Sequence, residues 1–240
     1  MPRFFVDTPL PPLSSGGEIT LPPGAARHVQ VLRLQPGDVL TLFDGSGPEW
    51  QAEVTAMGRS AVGVRLIEAV HPQRELALAV TLAVVMPAND RMDFLVEKAT
   101  ELGAAALQPL VAERSVLRLS GERADKKRAH WQGVAIAAAE QSGRTVPTRI
   151  ERVLPLASWL ASLAPRDDEW RGLLSPRAAA PLTAFSQQRA LFLSGPEGGL
   201  TEAEEDAARA RGFAPITLGP RILRADTAPL AVLAWLSVAA

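Results

Sequence analysis

Chemistry is concentrated where two apolar runs break into glycine. Leu191, Phe192 and Leu193 have the character of a buried strand, and the chain turns at once into Ser194-Gly195-Pro196-Glu197-Gly198-Gly199. Glycines at this density let the backbone take tight dihedrals and come close to a ligand. A second run, Ala214 to Leu218, meets Gly219-Pro220 and continues as Arg221-Ile222-Leu223-Arg224-Ala225-Asp226-Thr227-Ala228. Strand, glycine loop and helix, repeated once, predict two polar turns at neighbouring strand ends, where an open α/β sheet takes its ligand. Neither turn has the spacing G-x-G-x-x-G with an acidic second strand end, nor G-x-x-x-x-G-K followed by Ser or Thr. The familiar nucleotide-phosphate loops are therefore disfavoured, and a neutral or cationic adenosine-bearing cofactor is the better candidate.

The elements that must position these turns follow from the patterning. Between them, Thr201 is placed to cap a helix whose first turn carries Glu202, Glu204 and Glu205, charges favourable at a helix N-terminus, and which ends at Arg211-Gly212. Upstream, Leu76 to Val85 is nearly continuous in apolar residues, as expected of a strand buried on both faces of a parallel sheet. Asn89-Asp90-Arg91 opens a helix with Met92, Leu95, Ala99 and Leu102 inward and Gly103 as its C-cap. Glu97, Lys98 and Glu101 read as an ordinary solvated flank. Ala104 to Val111 is the next strand, and a helix from about Ala124 to Gln141 presents Trp131, Val134, Ala135 and Ala138 as a seam. Pro147 to Leu154 and Arg171 to Leu174 are expected strands, Leu156 to Leu163 a short helix, and Asp167 to Trp170 a turn. Residues 175 to 189 have no period, and no chemistry is assigned to them.

Residues 1 to 72 read differently. Glu18 to Leu21, Val39 to Phe43, Trp50 to Ala56 and Ala61 to Ile67 are short strands between turns at Gly16-Gly17, Pro36-Gly37-Asp38, Asp44 to Gly47 and Met57-Gly58-Arg59. A brief helix fits between Pro23 and Leu34, supported by Ala26, Val29, Val31 and Leu34. Strands at this spacing suggest a small β-barrel, and His71-Pro72-Gln73 is the expected boundary with an α/β domain from 73 to 240.

Composition narrows the class further. The 240 residues contain no cysteine, which removes disulfides, thiolate nucleophiles and cysteine metal sites. His28, His71 and His130 are too scattered to suggest a metal site. No apolar run reaches the roughly 18 residues of a spanning helix and the N-terminus lacks a signal pattern, so a cytoplasmic protein is expected. The formal charge is -1, but residues 112 to 130 hold six basic and three acidic side chains, a local +3. A basic segment of this kind can serve an anionic partner.

Taken together, the blocks resemble the bacterial 16S ribosomal RNA uridine N3-methyltransferases of the α/β-knotted SPOUT superfamily. Met1-Pro2-Arg3-Phe4-Phe5, His28 with Val31-Leu32-Arg33, Gly37-Asp38 and Phe43-Asp44-Gly45 resemble the family's N-terminal RNA-binding barrel. Lys98 to Gly103, Glu113-Arg114-Ser115, Ala139 to Arg144, Gly195 to Gly199, Leu218-Gly219 and Ile222-Leu223-Arg224 resemble blocks of its methyltransferase domain. One block departs: the family usually has glutamate before Thr-Ala, where this chain has Asp226.

The resemblance implies a PUA-like or OB-like β-barrel followed by an α/β domain tied in a deep trefoil knot, and a homodimer. It also implies S-adenosylmethionine as methyl donor and S-adenosylhomocysteine as product. The expected target is N3 of one uridine (uridine 1498) of 16S ribosomal RNA in the small subunit, with no DNA or membrane partner. Leu193, Gly195, Gly199, Leu218, Gly219 and Leu223 are the implied cofactor contacts. Arg224 is the first substrate-side candidate, with a salt bridge to Asp226 or Glu197 as its structural alternative. Glu197 is a proton acceptor or, preferably, a loop anchor, and Arg144 a second active-site or phosphate candidate across a dimer interface. Arg3, His28, Arg33, Arg114, Arg118, Lys126 and Lys127 are candidate RNA contacts, against the plainer reading of solvated surface charge. Competing readings are a knotted methyltransferase for another ribosomal or transfer RNA position and a noncatalytic RNA-binding assembly protein.

Overall fold

The computed structural model describes residues 1–11, 17–59, 61–88, 91–175, 177 and 180–239. Gly16, Asn89 and Asp90, where a turn and a helix opening are expected from sequence, lie outside them. The chain divides into two compact units, Met1–Glu75 with Ala139–Pro147, and Leu76–Ala138 with Thr148–Ala240.

In the first unit, β1 (Arg3–Phe5), β2 (Glu18–Thr20), α1 (Pro23–Val31), β3 (Val39–Phe43), β4 (Glu49–Met57) and β5 (Val62–Val70) follow in chain order. Five strands form one sheet in the order β1-β3-β4-β5-β2, with β1 parallel to β3 and the other pairs antiparallel. The period of two explains which side is buried: Val62, Val64 and Leu66 of β5 enter the core while Arg65 and Ile67 face outward. Those side chains pack on Leu40, Leu42, Trp50, Ala52 and Val54 and on Ala25, Ala26 and Val29 of α1. Val31 is the last residue of α1 and is 71% exposed, and two residues on Arg33 turns into the left-handed region at φ 56°.

Phe4 of β1 fills this core, and Arg3 beside it is turned into a polar cluster. Its guanidinium pairs with Glu49 and donates to the carbonyls of Gly143 (3.1 Å) and Arg144 (3.2 Å). Burial pushes the Glu49 carboxyl up, but the guanidinium groups of Arg3 and Arg74 outweigh it and hold it below the usual carboxylate range. A lowered folded value means stability that is present above the unfolded carboxylate range and lost as pH falls through the folded one. Glu49→Gln is therefore expected to destabilise this unit by about 2 kcal/mol at pH 7, typical of hydrogen bonds to a charged group. Denaturant melts of the two proteins should converge as pH falls below the carboxylate range; a constant gap down to pH 3 would assign the loss to packing.

The second unit contains β6 (Ala79–Val85), α2 (Arg91–Glu101), β7 (Ala106–Val111), α3 (Gly121–Ser142, whose last residues belong to the first unit), β8 (Arg149–Ile150), β9 (Leu154–Pro155) and α4 (Leu156–Ser162). It continues with β10 (Glu169–Leu174), β11 (Ala180–Pro181), β12 (Arg189–Ser194), α5 (Glu202–Arg209), β13 (Ala214–Thr217) and α6 (Thr227–Ala239). The strands are parallel throughout and run β11-β13-β10-β12-β6-β7-β8, with β9 also on β7.

Both faces are covered, and alternate residues supply the two cores. Val80, Leu82 and Val84 of β6 and Phe192 of β12 pack against Met92, Leu95, Trp131, Leu233 and Leu236 of α2, α3 and α6. Ala83, Val85, Leu191 and Leu193 pack on the other face with Leu156, Trp159, Leu160 and Ala208 of α4 and α5.

Three expectations are corrected here. Glu169 and Trp170 begin β10 instead of forming a turn, because Trp170 stacks on Phe185 at 4.8 Å and packs on Phe192. The strand expected over Pro147 to Leu154 is two short pieces, β8 and β9. The two glycine turns leave strands that are not neighbours, since β10 lies between β12 and β13.

Candidate functional site

That inserted strand builds the site. Leu174 of β10 lies opposite Ser194 of β12 on one side and Ile216 of β13 on the other. Three parallel strands therefore end side by side, and three corners of chain leave from one edge of the sheet.

The first corner is the Gly195 to Leu200 turn, closed by the Gly199 amide donating to the Pro196 carbonyl at 2.8 Å. Thr201 caps α5: its hydroxyl accepts from the Glu204 amide, and the Glu204 carboxylate accepts from the Thr201 amide at 2.9 Å. The other Glu204 oxygen accepts from the Glu113 amide at 2.8 Å, and Arg114 donates to the Gly198 carbonyl at 3.0 Å. Glu197 reaches the loop between β6 and α2, accepting from the Ala88 amide at 3.0 Å and facing Arg91 at 3.5 Å.

The second corner follows β13. Thr217 donates to the Gly219 carbonyl at 3.0 Å, Gly219 sits at φ 107°, and the Arg224 carbonyl accepts from Thr227 and Ala228 as α6 begins. Arg224 itself is exposed, and among the described residues it pairs with neither Asp226 nor Glu197. Asp226 has one buried carboxylate oxygen with no partner among the described residues.

The third corner was not assigned any chemistry from sequence. The Ser175 amide donates to the Ile216 carbonyl, and its hydroxyl donates to Glu205 at 3.2 Å while accepting from the Arg177 amide at 3.1 Å. Glu205 is 4% exposed, and its second oxygen is paired with Arg209 at 2.9 Å, so the buried carboxylate is satisfied on both sides.

The three corners enclose a cavity of about 590 Å³, within the range of small-molecule sites. Gly195, Gly199, Leu218, Leu223, Glu197 and Arg224 all line it. Leu193 and Gly219 do not: Leu193 is fully buried in the core under α4 and α5, and Gly219 shapes the turn beside the lining. Ser175, Arg177, Glu205, Arg91 and Arg221 join the lining without having been singled out.

The remaining candidates lie elsewhere. Arg144 belongs to the first unit, is 4% exposed, and donates twice to Glu75, at 2.9 and 2.6 Å. Within this chain it is a buried structural arginine and not a cavity residue. Arg3 is likewise committed to Glu49 instead of being presented to solvent. His28 and Arg33 are exposed, with His28 4.0 Å from Glu140. Burial holds the Glu140 carboxyl above its usual range, against the opposing pull of the Phe5 amide. Arg114 braces the glycine turn, Arg118 donates to the Glu113 carbonyl, Lys126 pairs with Glu122 at 2.7 Å, and Lys127 is exposed.

An RNA methyltransferase domain model matches residues 74–237, and an RNA methyltransferase PUA domain model matches residues 21–67. The chain is 36% identical to the ribosomal RNA small subunit methyltransferase E of Synechocystis over 91% of this chain and 72% of that protein. It is 32% identical to the protein of the same name from Bacillus subtilis, over 99% and 96%. The chain belongs to the ribosomal RNA small subunit methyltransferase E family. A crystal structure of the methyltransferase E of Neisseria gonorrhoeae bound to S-adenosyl methionine superposes with a TM-score of 0.91 at 35% identity, covering 100% of this chain and 98% of that one. A putative methyltransferase from Legionella pneumophila in complex with the same cofactor gives 0.90 at 30% identity, over 99% and 97%. As in the methyltransferase E family, the second unit is an α/β-knot methyltransferase domain and the first a PUA-like barrel.

Proposed function

We propose that this chain transfers a methyl group from S-adenosylmethionine to N3 of a specific uridine of 16S ribosomal RNA in the small subunit. The observation that carries the reading is the cavity: three strand ends and both glycine turns meet around one volume, in a domain whose relatives hold this donor.

The residues present fit the donor. Leu218, Leu223 and Ile216 offer apolar cover for an adenine ring, and the backbone of the Gly195 and Leu218 turns offers amides and carbonyls to its edges. Gly199 lines the cavity at positive φ with open space where a Cβ would stand, so the chain itself can approach the ligand there. When bound, the donor supplies an electrophilic methyl carbon. The protein holds the uracil beside it, which lowers the barrier by removing translational and orientational freedom.

Arg224 is the residue assigned to the base. It is among the lining residues, is exposed and carries no ion pair among the described residues, so its charge is available to the uracil carbonyls as N3 loses its proton. Glu197 is assigned to holding the glycine turn, since both its contacts are to the loop after β6 and the start of α2. Glu197→Ala is expected to weaken donor binding about threefold to tenfold, the scale of one or two hydrogen bonds to a charged group. The acid limb of the kcat profile should survive; its disappearance would make Glu197 the proton acceptor instead.

The enzyme is proposed to act in the cytoplasm as a homodimer. No helix among the described residues is long and apolar enough to cross a membrane. Phe94 of α2 and Trp235 and Val238 of α6 are 49%, 43% and 88% exposed, and these two helices pack side by side. Light scattering should give twice the 25.6 kDa chain mass. The substrate is tested by incubating the protein with labelled S-adenosylmethionine and undermethylated small subunits, then mapping the modified base and atom. Label on any position other than uracil N3 would overturn the assignment.

A further inference from the structure

The charges around the cavity do not match the donor it is proposed to hold. Four arginines line it, Arg91, Arg177, Arg221 and Arg224, against two glutamates, Glu197 and Glu205, which leaves 4 − 2 = +2. Both carboxylates are engaged by cations, Glu197 by Arg91 and Glu205 by Arg209. S-adenosylmethionine carries a sulfonium and an ammonium against one carboxylate and is itself net cationic. A surplus of positive charge weakens its binding, so the surplus serves a second, anionic ligand. Arg177, Arg221 and Arg224 are the exposed members of the set, and none carries an ion pair among the described residues.

We infer that Arg177 and Arg221 form a phosphate clamp at the cavity mouth that grips the RNA backbone flanking the target nucleotide. This rests on the proposed methyl transfer to an RNA base, and it adds a binding site to it. A base that enters a pocket must leave its stack, and its phosphates then stay at the rim while the ring goes in. Charges at the rim fix register without reading sequence, whereas Arg224 acts on the base. The two clamp residues stand on different corners: Arg177 follows β10, anchored through Ser175 and Glu205, and Arg221 follows the Gly219 turn after β13. The two corners leave neighbouring strands, β10 and β13, so both arginines border the same cavity.

The test is a salt series. Binding of the full chain to undermethylated small subunits is measured for the wild type, the double variant Arg177→Gln with Arg221→Gln, and the double Arg→Lys variant. Each phosphate contact contributes about 0.7 to the slope of log K against log salt for single-stranded RNA, so the Gln pair should flatten the slope by about 1.4. Its KM for subunits should rise at least about tenfold in low salt. Donor affinity, titrated without RNA, is expected to stay within twofold, and the Lys pair should recover most of the slope. An unchanged slope overturns the clamp. So does a loss of donor affinity that is equal in the Gln and Lys variants, which would place these arginines in the donor site or its scaffold. Failure of the wild type to methylate subunits would refute the functional reading alone, since the slope comparison judges the arginines by binding.

Discussion

Arg224→Ala is expected to lower methyl transfer by roughly 10²- to 10³-fold, the cost of removing one group aimed at developing negative charge. Donor affinity should change by less than about twofold. The separation follows from geometry: Arg224 is among the lining residues and is exposed, while its main chain only starts α6 by accepting from Thr227 and Ala228. Alanine keeps that carbonyl and favours helix, so the fold of the corner survives the change. Single-turnover rates with saturating donor, beside a donor titration, read the two effects apart. Equal losses in both would move Arg224 from the substrate to the donor site.

Gly195→Val should have the opposite signature, raising the donor Kd by about tenfold or more, the scale of one or two lost hydrogen bonds, in a protein that still folds. A Cβ at residue 195 would stand 3.1 Å from both the Leu200 amide nitrogen and Leu200 Cγ and 3.4 Å from the Gly199 carbonyl carbon, so the backbone of the turn and the packed Leu200 side chain must both yield. The turn must give by a few tenths of an ångström for the Cβ alone and further for the valine branches, which shifts the backbone that faces the donor. It is braced from outside by Arg114 on Gly198 and by Glu197 on Ala88, and those contacts keep the variant folded. Unchanged donor affinity in a folded Gly195→Val protein would exclude this turn from the donor pocket.

Parts of this site were legible in the sequence because local chemistry determined them. Thr201 ahead of a first turn rich in glutamate signals a helix start, and the chain caps α5 there, with Glu204 closing the capping box. The apolar run at Leu191 to Leu193 breaking into glycine is a buried strand with a turn, and β12 ends at Ser194. Ser175 and Arg177 carried no such signal. They matter because β10 is inserted between β12 and β13, a fact of strand order that periodicity does not encode. The same ignorance of order made the two glycine turns look adjacent. β1 was missed for another reason: three residues are too short for a period, and its place is decided by pairing with β3 more than thirty positions on. Arg144 was singled out by its block and not by its surroundings, and Glu75, which holds it, gave no hint in the linear chain.

The insertion of β10 also sets when the pocket can exist. Leu174 finds Ile216 only after some forty intervening residues have been placed, and the parallel pairing offers no hairpin to nucleate it. A nascent polypeptide released as far as α5 has two of the three walls and nothing to close them. Affinity for the methyl donor thus arises abruptly, once β13 and the corner after it have joined β10, and a fragment ending at α5 is expected to bind none.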